Sequence, residues 1–171
     1  MQFVADCAIL RAVKQNGVAM SFNKLTWGVK ASFRSYVEAA GGSITLSDGA
    51  TRAEDGSFIF TAAPGGDLSI TPDGSATGAT RFKGKVVFDA HGGMLKATLA
   101  ELGLEAGPDG LVLTTLEAPG NQGRCAIAQL GPIEVGTNGA ITIGSEITFD
   151  GMYQIADNYP PGTKLDPLQL D

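Results

Sequence analysis

The chain has 171 residues, of which 43% are hydrophobic and 18% charged, a balance that suits one folded domain with a single sizeable core. Its formal net charge of −6 argues against nucleic acid or an acidic membrane surface as a partner, and no apolar run has the length that crosses a bilayer. The 24 glycines fall between short apolar runs, the punctuation of an all-β chain with many tight turns. Residues 1–22 are ambiguous. Phe3 to Val13 is apolar on all sides and fits a buried helix or a strand equally well, while Asn16-Gly17 followed by the alternation Val18, Met20, Phe22 predicts a hairpin. No basic region precedes these apolar residues and Asp6 interrupts them, so no signal peptide is readable.

Leu25, Val29, Phe33 and Val37 recur at the four-residue spacing of one helix face and predict the main helix over about 26–40. Thr26 is the expected N-cap, and Gly41-Gly42 ends the run. Ser32 and Tyr36 stand one turn apart on that helix, so their side chains share a face. By themselves these residues also fit an amphipathic helix whose Trp27, Phe33 and Tyr36 fill a core.

Strand signals follow. Ser43–Ser47 and Ser57–Ala62 are separated by Asp48-Gly49 and Asp55-Gly56, and Leu68–Thr71 ends at Pro72-Asp73-Gly74. The loop 72–80, poor in bulky residues, is expected to be mobile. Arg81–Asp89 is the clearest strand, with Phe82, Val86 and Phe88 on one side and Arg81, Lys83 and Lys85 on the other. Gly84 leaves a gap on its apolar side that could admit a neighbouring backbone or a flat ligand. Leu95–Leu104, Leu111–Glu117 (after the turn Pro108-Asp109-Gly110), Arg124–Leu130 and Ala140–Phe149 continue the series. In the last, Ile141, Ile143, Ile147 and Phe149 alternate with polar residues. Tyr159–Pro167 reads as an ordered strap rather than a strand. The sum, about nine or ten short strands and one clear helix, predicts an all-β protein, mainly an antiparallel two-sheet β-sandwich with one or two short helices.

The chemistry available is narrow. His91 is the one histidine, whereas a His-based zinc site wants two or three imidazoles, and no GxSxG frames a serine nucleophile. Cys7 and Cys125 form no CxxC or CxxCH. They could pair, though two buried thiols is the plainer reading. No carboxylate pair has a spacing that marks acid–base work, so the residues argue against a hydrolase.

Three stretches carry a family resemblance: Trp27-Gly-Val-Lys-Ala-Ser-Phe-Arg-Ser-Tyr36, Phe82-Lys-Gly-Lys-Val-Val-Phe-Asp-Ala-His91-Gly-Gly-Met-Leu95, and Tyr159-Pro-Pro-Gly-Thr-Lys-Leu-Asp-Pro167-Leu168. In this order they resemble the HtaA domain, a haem-binding module of actinobacterial haem-uptake proteins. Residues 1–22 lie outside the resemblance and 23–171 form the HtaA-like domain. The resemblance implies non-covalent binding of ferric haem b, with Tyr36 as the axial ligand, His91 hydrogen-bonded to its phenolic oxygen, and Ser32 close by. Lys30, Arg34, Arg81 and Arg52 are candidates for the propionates, though solvated surface charge is the plainer reading of each. Phe33, Phe82, Phe88, Met94 and Leu95 are candidates for the porphyrin faces that would serve equally well as core.

A phenol ionises near pH 10, so its anion needs stabilising, by the metal first and by an imidazole N–H second. The anionic oxygen favours Fe(III). Haem and other haem-uptake proteins are the implied partners. The family is exported or surface-anchored, so either a leader precedes residue 1 or the protein works inside the cell. The rival reading keeps the fold as a structural or protein-interaction domain, or as a binder of another apolar ligand. A haem-dependent oxidase or peroxidase lacks an evident distal acid–base group beyond His91.

Overall fold

Alternation and glycine placement produce fourteen strands among the described residues, which in this computed structural model are 22–71, 75–116, 123–136, 140–155 and 159–171. In chain order they are β1 (Lys24–Trp27), then helix α1 (Ala31–Ala39), β2 (Ser43–Ser47), β3 (Thr51–Arg52), β4 (Phe58–Ala62), β5 (Ser69–Ile70), β6 (Ala76–Thr77), β7 (Ala79–Lys83) and β8 (Lys85–Ala90). A 3-10 turn (His91–Gly93) leads to β9 (Leu95–Ala100), β10 (Gly103–Gly107), β11 (Gly110–Leu116), β12 (Arg124–Val135), β13 (Ile141–Ile147), helix α2 (Phe149–Gln154) and β14 (Lys164–Leu170). The run Phe3–Val13, the hairpin at Asn16-Gly17, Cys7 and the turn at 72–74 lie outside the described residues.

Eight strands pair antiparallel in the order β1-β14-β13-β12-β11-β10-β7-β4, and β4 pairs back to β1. The sheet therefore closes into a barrel, and the expected two-sheet sandwich is wrong. Closure rests on β1, which meets β14 at Thr26↔Gln169 and Leu25↔Leu170 and meets β4 from Lys24↔Thr61 to Trp27↔Phe58. A closed sheet leaves no unpaired edge among its eight strands, while the in–out alternation within each strand is the same as in a sandwich. Leu25, Trp27, Phe58, Phe60, Phe82, Leu104, Leu113, Ile127, Ile143 and Leu168 are buried in the resulting core.

Local chemistry corrects five of the predicted elements. The helix begins at Ala31 rather than 26, because Leu25 and Trp27 belong to β1 and Val29 takes a positive φ of 63°. Its end is as expected: Gly42 N–H donates to the Val37 carbonyl and Gly41 N–H to that of Glu38. β13 stops at Ile147 because Thr148 caps α2, its hydroxyl accepting the Gly151 N–H at 2.9 Å, so Phe149 opens a helix and is exposed. The C-terminal strap contains a true strand, β14. Pro167 is accommodated where the register slips between Ile143↔Leu168 and Ser145↔Leu165, a bulge that spares its missing N–H. Finally, the predicted strands 81–89 and 95–104 each break once.

These two breaks face each other. Gly84 has a φ of 132°, and Glu101 opposite it has a φ of 49°. Glu101 N–H donates to the Gly84 carbonyl and Phe82 N–H to that of Leu102, so the β7–β10 and β8–β9 pairs form one bent ribbon. Below the bend it belongs to the barrel. Above it, β8 and β9 join β2 in a three-stranded sheet of order β9-β8-β2. The bend is braced from β11 by Thr115, whose hydroxyl bonds both the Ala100 carbonyl and its N–H, and from β12 by Arg124, which donates to the Glu101 carbonyl. The gap expected at Gly84 admits protein: a β-carbon there would stand 2.8 Å from Phe60 Cδ1 and 2.9 Å from Ala50 Cβ.

Helix α1 is held at its N-terminus by a residue from the far end of the chain. Lys30 offers no side-chain cap, and the Ala31 N–H donates to Asp166 Oδ1 on β14 at 3.2 Å. Arg34 Nη1 donates to Asp166 Oδ2 at 2.9 Å and to the Gly28 carbonyl at 2.6 Å. The Trp27 indole N–H and the Ser145 hydroxyl both donate to the Asp166 carbonyl. Nearby, the Ser57 hydroxyl donating to Asp55 Oδ1 holds the Asp55 carboxyl below the usual carboxylate range.

Asp166→Ala leaves a buried guanidinium without its partner and should cost about 3 kcal/mol of unfolding free energy in urea titrations. Glu38→Ala breaks only the exposed pair with Arg52 and should cost less than about 1 kcal/mol. Gly84→Ala should cost about 2 kcal/mol through the positive φ and the Phe60 contact. Gly123→Ala, with no atom near its added β-carbon and no positive φ, should shift stability by under about 0.5 kcal/mol. Equal losses for the two glycines would remove the bend from its proposed place in the fold.

Candidate functional site

Helix α1 lies across β2 and β8 with Phe33 and Val37 turned inward. The Phe33 ring meets Phe88 edge-on at 5.0 Å between centroids, and Phe88 in turn meets Phe58 at 5.7 Å. This fixes the helix rotation and leaves Tyr36 at the rim, 47% exposed. Ser32, one turn earlier, is exposed as well.

The second half of the site comes from the tip of the bent ribbon. His91, Gly92 and Gly93 have φ values of 56°, 66° and 96°, a left-handed run that two glycines can follow freely and that costs a residue with a β-carbon about 1 kcal/mol. The turn closes with Met94 N–H donating to the His91 carbonyl at 3.2 Å, and Leu95 pairs with Ala90 across its foot. The imidazole is thereby delivered to the helix. Tyr36 Oη and His91 Nε2 are 2.7 Å apart, with ring centroids at 5.6 Å, although 55 residues separate them in the chain. Either atom can hold the shared proton, according to the tautomer of the imidazole.

The remaining predicted residues divide cleanly. Met94, 91% exposed, stands beside the pair on the same turn. Phe33, Phe82 and Phe88 are at most 1% exposed and belong to the core, Phe33 and Phe88 beneath the site and Phe82 on β7 in the barrel. Arg34 is committed to Asp166 inside the fold, and Lys30 Nζ donates to the Lys164 carbonyl at 2.9 Å. Arg52 is held by Glu38 and the Gly56 carbonyl with its guanidinium over the Phe58 ring, while Arg81 lies on β7, below the bend that separates it from the turn. The reading of the sequence missed Asp166, which anchors the helix that carries Tyr36; no local pattern marks a carboxylate that caps a helix from a distant strand. Cys125 is buried in β12. Among the described residues no group of three or more His, Cys, Asp or Glu could hold a bare metal ion, and no helix is long and apolar enough to cross a membrane.

Comparison with known proteins agrees with this architecture. The C-terminal domain of HtaA from Corynebacterium glutamicum superposes with a TM-score of 0.68 at 25% identity, over 89% of this chain and 96% of that one. The N-terminal domain of the same protein gives 0.68 at 24% identity, over 90% and 98%. A haem-binding protein of that organism, HtaB, shares the fold at 15% identity and a TM-score of 0.61, over 90% and 93%. No curated protein matches the chain. The HtaA family model matches residues 23–171, from β1 to the last residue, and the chain belongs to the HtaA family.

Proposed function

We propose that this domain binds ferric haem non-covalently through Tyr36, with His91 as the partner that stabilises the phenolate, and that it serves as a haem-capture or relay module in haem-iron uptake. It acts as a binding protein rather than an enzyme. The observation that carries the reading is the 2.7 Å contact between Tyr36 Oη and His91 Nε2 on an open face of the domain. Two solved relatives are HtaA domains and a third, HtaB, is a haem-binding protein by name, which supports the same ligand class.

The residues present fit such a group. Bound haem supplies an Fe(III) centre that takes a hard anionic oxygen, and two carboxylates. A half-exposed phenol can be reached from outside, and the imidazole touching it is itself exposed and free to exchange a proton with water. As Tyr36 ionises, its proton can pass to His91 Nε2, from which it is donated back to the phenolate as a charge-assisted hydrogen bond. The Nδ1 proton can then leave to solvent, so the pair ends with one negative charge on the tyrosine oxygen. Ser32, one turn before Tyr36, has its hydroxyl free for a carboxylate, and the Met94 thioether offers an apolar, polarizable contact for a flat ring. Lys30 and Arg34, both engaged elsewhere, are weaker candidates for the propionates.

Hemin added to the purified protein should bind at one per chain, with a high-spin ferric spectrum and a phenolate charge-transfer band. Tyr36→Ala should abolish that band. His91→Ala should keep it and speed haem loss to a competing acceptor by about 10- to 100-fold, the usual effect of removing a group that orients a ligand. Loss of the band in His91→Ala with retention in Tyr36→Ala would assign the iron to histidine. No spectral change in the wild type on hemin addition would leave a structural or protein-interaction domain.

A further inference from the structure

Closing the barrel removes its edges, but the three-stranded sheet has two outer strands, β9, which carries Lys96, and β2. β2 pairs with β8 from Ser43↔Asp89 to Ser47↔Lys85 and ends the sheet on its other side among the described residues. Natural edge strands are ordinarily guarded by a lysine, a proline or a bulge. β2, Ser43-Ile-Thr-Leu-Ser47, has none of these: it is uncharged, lacks proline and runs in unbroken register against β8.

The strand also reads almost the same in both directions. Antiparallel pairing of two copies centred on Thr45 sets Ser43 opposite Ser47, Ile44 opposite Leu46 and Thr45 opposite itself. The flanking positions are equally compatible, with Asp48 opposite Gly42 and Gly41 opposite Gly49, so no charge meets a like charge. Ile44 and Leu46 are only half-buried on the face that carries α1, and this register packs each against its counterpart. From these features we infer that β2 is a self-association edge, on which a second copy of this chain pairs to make a six-stranded sheet.

The two-fold axis of such a pairing runs normal to the sheet, so both α1 helices and both Tyr36–His91 pairs lie on one face. His91 follows Ala90 at the Ser43 end of β2, which sets the two pairs at opposite ends of that face. A five-residue strand pair buries far less than the surface of a stable dimer, and each copy carries a net charge of −6. The association is therefore weak, strengthens with salt, and rises with concentration.

Sedimentation of the full chain from about 10 μM to about 1 mM should show a monomer–dimer equilibrium that shifts to dimer in high salt. Hydrogen exchange of the wild type should show amide protection in 43–47 growing with concentration. Thr45 is exposed, so charge is tolerated there in the monomer. Thr45→Lys and Thr45→Glu should each weaken self-association by about tenfold or more, because like charges meet at the axis. Mixing the two variants should restore the dimer. A wild type that stays monomeric throughout, or variants that associate as the wild type does, overturns the proposal. So does concentration-dependent protection that appears elsewhere and not at 43–47.

Discussion

The carboxylate and carbonyl of Asp166 are the point on which the placement of the site depends. One oxygen caps the first free N–H of α1, the other takes the Arg34 guanidinium, and the backbone carbonyl receives both the Trp27 indole and the Ser145 hydroxyl. Asp166 N–H also donates to the Val29 carbonyl. Five bonds therefore converge from β1, α1, β13 and the connection between β1 and α1 onto one residue of β14. Burying an arginine is costly without a partner, and here the partner's other contacts are all satisfied, so the pair specifies one arrangement of the helix against the barrel.

The same residue links closure to function. β1 supplies the register that joins β4 to β14, and three residues after its end the chain enters α1. Were β1 to pair on one side only, Trp27 would lose its cover and α1 its cap, and Tyr36 would move with the helix. On the other side the bent ribbon is equally constrained, since Gly84 and Glu101 turn together and Thr115 and Arg124 hold the corner. The distance between Tyr36 and His91 is thus set by two constrained routes that meet at the Phe33–Phe88 contact and again at the hydrogen bond. Elements whose ends are fixed in this way lose little entropy when a ligand binds against them.

Much of this was legible in the sequence. The alternation of Ile141, Ile143 and Ile147, the strand Ser43–Ser47, and the Gly41-Gly42 stop depend on neighbours within a few residues, and each forms as expected. The pairing of Tyr36 with His91 was reached by resemblance and not by spacing, because nothing local ties a helix to a turn 55 residues on. Closure was illegible for a related reason. The β1–β14 contact joins residues near opposite ends of the chain, and alternate burial in a strand is satisfied by a barrel or a sandwich alike. The helix start was misread because Leu25 and Val29 fit a period of four while lying in a strand and in a left-handed turn. Arg34 looked like a free cation because its partner is 132 residues away.

Helix α1 divides its aromatic residues between two tasks. Phe33 is wholly buried and stacks edge-on into the core, whereas Tyr36, less than one turn later, is half in water. A deeper phenol would pay to desolvate its anion and would exchange any bound group slowly. A phenol on a floppy loop would lose the fixed approach to His91. Fixing the helix from beneath through Phe33, Phe88 and Phe58 while leaving the oxygen at the surface avoids both costs. Under the proposed capture-and-relay role, the rigid base would set the geometry of binding, and the open face would keep the path for release short.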